Sequence, residues 1–121
     1  MTSNTSKKAV TNLTGKEVEA WEDNEKTIPE LIARVEKTLD LLKSVDRKVV
    51  DGSEDKIVDL NLGKVRGIIQ APASTYVLGF ALPNYFFHIN TAYGILRHKG
   101  IQIGKADYLG PFLQPLLAES A

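Results

Sequence analysis

The chain has 121 residues, with 15 basic and 15 acidic side chains and a formal charge of zero. That length suits one domain with its own core. The charge balance disfavours a protein built to neutralise phosphates, so no nucleic-acid partner is expected. Residues 1–50 alone carry nine basic and nine acidic side chains, so no charged segment hides behind the total.

The first fifteen residues are small and polar and end at Gly15. Ala9, Val10 and Leu13 can form one apolar stripe, so the stretch reads either as a disordered tail or as the frayed end of a helix. It lacks the apolar core of a secretory signal. No uninterrupted apolar run of about 18 residues follows anywhere, so no membrane partner is expected. Zero cysteines exclude disulfides, thiolate metal sites and cysteine nucleophiles. A cytoplasmic location is the resulting expectation.

Residues 17–25 carry five carboxylates and no basic residue, the pattern of a solvated surface. Thr27-Ile28-Pro29-Glu30 is a capping box with proline in the first turn, which predicts a helix start. Ile28, Leu31, Ile32, Val35, Leu39 and Leu42 then fall on one face of a helix running to about Lys43. Glu30, Arg34, Lys37 and Asp40 are expected towards solvent. Residues 44–55 read as a connection with a short helical turn, closing at Asp51-Gly52-Ser53. Val58, Leu60 and Leu62 alternate with Asp59 and Asn61, which predicts a strand. Gly63-Lys64 can turn the chain, and Val65–Gln70 can return as its partner.

Residues Thr75–Lys99 are apolar nearly all round, so a helix there needs partners on several sides. Pro83 is expected to kink or break it near Leu82, with Asn84 recapping the second part. Arg97, His98, Lys99 and Gly100 form a C-terminal signature. The remaining tail has Gly and Pro breaks. Tyr108, Leu109, Phe112 and Leu113 make residues 106–121 a docking segment.

Two histidines, His88 and His98, are the metal-type nitrogens. Ten residues of helix separate them by about 15 Å, too far to share one ion with bonds of about 2.1 Å. Asn84, His88, Thr91 and His98 share one polar stripe, completed by Ile95. That seam can line a small-molecule pocket, satisfy buried groups, or face solvent. Tyr93 and Arg97, one turn apart, can add a carboxylate clamp, or Arg97 can be a surface cation.

The segments WEDNEKT, DGSED and FALPNYFFHINTAYGILRHKGIQIGKADYLG resemble a family of uncharacterised bacterial and fungal proteins. It is the domain of unknown function numbered nineteen ninety-three. The resemblance spans about Thr5 to Gly110. It implies a mainly all-α fold, a partial DinB-like four-helix bundle with a small β-hairpin before the last long helix. The wider superfamily includes metal-dependent enzymes that use three histidines from separate helices, whereas this family has no established activity. Here only His88 is suitably placed, so no cofactor is expected, with a divalent metal at His88 as the alternative. The family pattern also implies a further N-terminal helical part. Residues 1–121 are therefore expected to form a single, N-terminally incomplete domain whose uncovered faces drive self-association.

Two functions follow as expectations. One is a small-ligand-binding bundle using Asn84, His88, Thr91, Tyr93 and Arg97. The other is a non-catalytic bundle acting through self-association or a protein partner. Catalytic turnover by this chain is not expected.

Overall fold

The structure, a computed structural model, describes residues 1–119. It is mainly helical, with one two-stranded hairpin. The chain falls into two compact units, Met1–His88 and Ile89–Ala121. The expected 106–121 tail includes residues 120 and 121, which lie outside the described residues.

The first unit opens with α1, Thr2–Thr14. The stretch is thus a helix, which corrects the disordered-tail alternative. Its polar residues do not forbid this, because hydroxyls bond back along the helix: Ser6 Oγ donates to Thr2 O and Thr14 Oγ1 to Val10 O. Val10 is buried, and Ala9 and Leu13 pack against the core. Gly15 ends the helix at φ 76°, a left-handed conformation that a side chain would strain, and donates its N–H to Thr11 O.

Helix α2, Ile28–Lys43, starts and stops where the sequence predicts. The capping box is complete: Glu30 N donates to Thr27 Oγ1, and Thr27 N donates to Glu30 Oε2 at 2.8 Å. The orientation differs from expectation. Arg34, expected in solvent, is the buried side, its side chain only 10% exposed. Thr38 is buried beside it and shares a hydrogen bond with Ser3 Oγ of α1. The apolar stripe points away and remains exposed. A short helix, α3 (Arg47–Asp51), follows, capped by Asp46.

Strands β1 (Ile57–Asn61) and β2 (Ile68–Pro72) pair antiparallel, with Val58 opposite Ala71 and Leu60 opposite Ile69. Val58 and Leu60 are buried, as their alternation predicts. The return strand begins at Ile68 rather than Val65. Leu62 N donates to Gly67 O and Gly67 N to Gly63 O, which closes a loop through two left-handed glycines. Val65 stands at its tip, 97% exposed.

The hairpin leads into α4 (Ala73–Tyr76), a π-helical turn (Val77–Ala81) and α5 (Leu82–His98). No break occurs at Pro83. The wider turn instead passes the proline, with Leu82 N donating to Val77 O across five residues. The donor that Pro83 lacks falls where the ladder returns to α-helical spacing. Asn84 does not recap the helix; its side chain reaches α1. Tyr76, 2% exposed, centres the core with Val58, Leu60, Ala73 and Ala81. Burial raises its phenol pKa, and a hydrogen bond with Asn12 partly offsets the rise.

In the second unit, α5 ends with Gly100 at φ 90°, and Ile101 N donates to Leu96 O. The tail forms α6, Lys105–Glu119, with Pro111 and Pro115 inside it rather than at breaks. Asp107 accepts from Gly104 N at 2.8 Å near its start. Tyr108 packs edge-on against Tyr93 at 5.4 Å, while Phe112 and Leu113 remain exposed.

Tyr76→Ala is expected to cost about 3–5 kcal/mol, because a buried aromatic leaves a cavity. Tyr76→Phe should cost about 1 kcal/mol, the worth of one hydrogen bond. Urea unfolding followed by circular dichroism checks both.

Candidate functional site

The residues expected to form a polar seam divide between the units. Asn84 and His88 lie in the first, and Thr91, Tyr93 and Arg97 in the second. Asn84 is half-buried and donates Nδ2–H to Thr5 Oγ1 at 3.0 Å, tying α5 to α1 across 79 residues of sequence. His88 is half-buried, its ring edge-on to Phe87 at 5.3 Å. Thr91 is exposed. Tyr93 donates its hydroxyl to Gly104 O at 2.6 Å, which straps the α5–α6 connection. Arg97 is exposed and lines a polar cleft of about 410 Å³ with Gln102, Gly104 and Asp107. Two of the five candidates, Asn84 and Tyr93, therefore bind the chain to itself.

A metal fits poorly. Among the described residues no group of three or more His, Asp or Glu side chains is placed to hold an ion. His98 is exposed at the end of α5, away from any carboxylate cluster of that kind.

Two features escaped the sequence analysis. The first is a clasp around Arg34. Its Nη1 donates to Glu25 Oε1 and to the Glu22 carbonyl, both at 2.7 Å. Its Nη2 donates to Asp23 Oδ1 at 2.7 Å and to Asn4 Oδ1 at 3.2 Å, and its Nε to Ser3 Oγ at 2.9 Å. One guanidinium thus gathers α1, α2 and the acidic run 17–25. Trp21 sits among cations, with Lys37 Nζ 4.4 Å, Lys7 Nζ 4.5 Å and the Arg34 guanidinium carbon 5.2 Å from its ring. Trp21 Nε1 is cut off from solvent without a well-formed hydrogen bond. It still contributes, after Lys37, to holding the Glu19 carboxyl below its ordinary value. The Asp23 carboxyl is lowered by Asn4 first and then by Arg34. Glu30 is lowered by the Lys26 and Thr27 donors of the cap. Desolvation, and then Arg34, lowers Lys7. The signal was present in the sequence as five acids without a base, facing the helix that carries Arg34 and Lys37.

The second feature is an apolar groove of about 270 Å³ within the first unit. Ala9 and Leu13 of α1, Leu42 of α2, and Leu82, Tyr85 and Phe86 of α5 line it. At Leu42 it joins the α2 stripe. All six residues of that stripe are exposed, from 43% at Leu42 to 69% at Ile28.

Residues 1–109 match the family described as the domain of unknown function DUF1993. The chain belongs to this family. A solved structure, a DinB family member protein from Shewanella denitrificans, shares 32% identity and superposes with a TM-score of 0.76. The alignment covers 89% of this chain and 60% of the solved one, so the chain spans under two-thirds of that relative's length. No curated protein matches.

Three carboxylates of the clasp and the cap set a pH dependence. Asp23 is held below its ordinary pKa by Asn4 and Arg34, Glu19 by Lys37, and Glu30 by the Lys26 and Thr27 donors. Their contribution is therefore complete above the ordinary carboxylate range and is lost as pH falls through the folded values. Trp21 is the only tryptophan, so its fluorescence reports the clasp. An acid-side fluorescence transition below the ordinary carboxylate range is expected in the wild type. Arg34→Ala should display the opened-clasp signal already at neutral pH. An unchanged spectrum in that variant would remove Arg34 from the account.

Proposed function

We propose that this DUF1993 chain is a non-catalytic, DinB-like helical module that acts through self-association, with a second copy covering the apolar face of α2. The exposed stripe carries the proposal. Six large apolar residues stand in a row along sixteen residues of helix, while Thr38 and the Arg34 side chain of that helix are turned inward. Contiguous apolar patches of more than a few hundred Å² mark interaction surfaces on soluble proteins. The groove beside Leu42 extends the patch onto α5. The proposal includes a cytoplasmic location. No helix among the described residues is long and apolar enough to cross a membrane.

Sedimentation velocity tests this. The wild type should sediment as a dimer or larger species at micromolar concentration. Leu39→Asp places a charge in the patch and should yield monomer without loss of helical signal. A monodisperse wild-type monomer that binds no apolar dye overturns the proposal.

A second proposal rests on the groove itself. Its volume approaches that of small-ligand pockets, about 300–1,000 Å³, and its lining is almost wholly apolar. Thr5, on its wall, holds Asn84, so a small apolar molecule there would lie beside Asn84. Native mass spectrometry of the purified protein would then detect a bound molecule. Phe86→Ala, in the groove wall, should release it without shifting the unfolding midpoint. A loss of stability alone assigns Phe86 to structure.

A further inference from the structure

The apolar residues of α2 are arranged symmetrically about Val35. Ile28 and Leu42 stand seven residues to either side, and Leu31 and Leu39 four. A stripe that reads the same in both directions is complementary to its own reverse. Laid antiparallel across a second copy, Ile28 meets Leu42, Leu31 meets Leu39, and Val35 meets Val35. The spacings of four and seven are those with which helices interdigitate at a shallow crossing, about 8–10 Å apart.

Within the stripe the symmetry fails at one pair of positions, three residues from the centre, where Ile32 is matched by Thr38; beside the stripe Ala33 is matched by Lys37 and Leu41 by Pro29. Thr38 is buried against α1 and bonded to Ser3 Oγ and to the Arg34 carbonyl. The mismatch therefore lies on the flank that α1 already covers, and Ile32 lies on the open flank. The exposed face itself is self-complementary.

From this we infer that two copies pair through α2 and α2 about a two-fold axis passing Val35. The pairing presupposes the self-association proposed above. An isologous contact of this kind uses one surface twice and closes at two copies. It leaves no apolar stripe free to recruit a third. The proposed occupant is the same stripe of a second copy. The six stripe residues, with exposed Leu82 and Phe86 at the groove, supply most of the roughly 800 Å² per partner of a stable interface.

The chain has no cysteine, so an introduced thiol is unique. Val35→Cys places two thiols on the axis, within reach of a disulfide that spans about 4.4–6.8 Å between Cα atoms. Val35 is 58% exposed, so the change does not disturb the core. Under mild oxidation Val35→Cys should form a linked dimer on the order of tenfold faster than Val65→Cys at the hairpin tip, because docking makes the reaction effectively intramolecular. A mixture of Leu31→Cys and Leu39→Cys chains should cross-link faster than either variant alone. If the wild type sediments as a dimer and Val35→Cys links no faster than Val65→Cys, the antiparallel register is wrong and self-association stands. If the wild type is a monomer, both fall.

Discussion

Burial of the Arg34 guanidinium decides which way α2 faces. An arginine out of water must find partners for five N–H donors, and they are here only on one side: Ser3 and Asn4 of α1, and the acidic segment folded over them. Once Arg34 is satisfied, α2 has no rotational freedom. Thr38, one turn on, must lie against Ser3, and the stripe from Ile28 to Leu42 must turn outward. Glu25 is largely sheltered whereas Asp23 is mostly in solvent. Surface ion pairs of the second kind contribute about 0–1 kcal/mol. The clasp therefore acts mainly through the penalty for the alternative, an unpaired buried charge. It fixes orientation more than it adds stability.

What was legible in the sequence was local. The capping box, the end of α2 at Lys43 and the inward alternation of Val58 and Leu60 all follow from residues within a few positions of one another. The family and its mainly helical fold were legible in the long motif ending at DYLG. What was not legible depended on pairing at a distance. Periodicity identifies the apolar face of α2 and is silent on what lies against it; one arginine, reading carboxylates about ten residues upstream, reversed the expected packing. The polar composition of α1 concealed a helix because hydroxyls bonded to their own backbone add nothing to an apolar count. The missing donor of Pro83 by itself predicts a kink or break near Leu82, and the wider turn before it carries the chain past without a break.

Two residues that read as ligand donors in the sequence have intramolecular partners. Asn84 is spent on Thr5 and Tyr93 on Gly104. A polar side chain already satisfied by the protein offers a ligand only an exchange of one hydrogen bond for another, with little net gain. His88 is half-buried with its ring edge-on to Phe87.

The buried core is small. Among the described residues Tyr76 is the one large side chain fully enclosed, alongside Val58, Leu60, Val10 and two alanines. The largest apolar reserve of the first unit lies outside it, on α2 and along the groove. Covering a Leu or Ile side chain is worth about 1.5–3 kcal/mol when burial is complete, so half-covering six of them rivals the net stability of a small domain. A partner that binds only the folded chain adds to that stability by mass action. With α2 held outward by Arg34, the proposed pairing would make folding and association parts of one equilibrium. The clasp would couple them, because it holds Arg34 and Thr38 inside the unit and leaves the apolar stripe exposed.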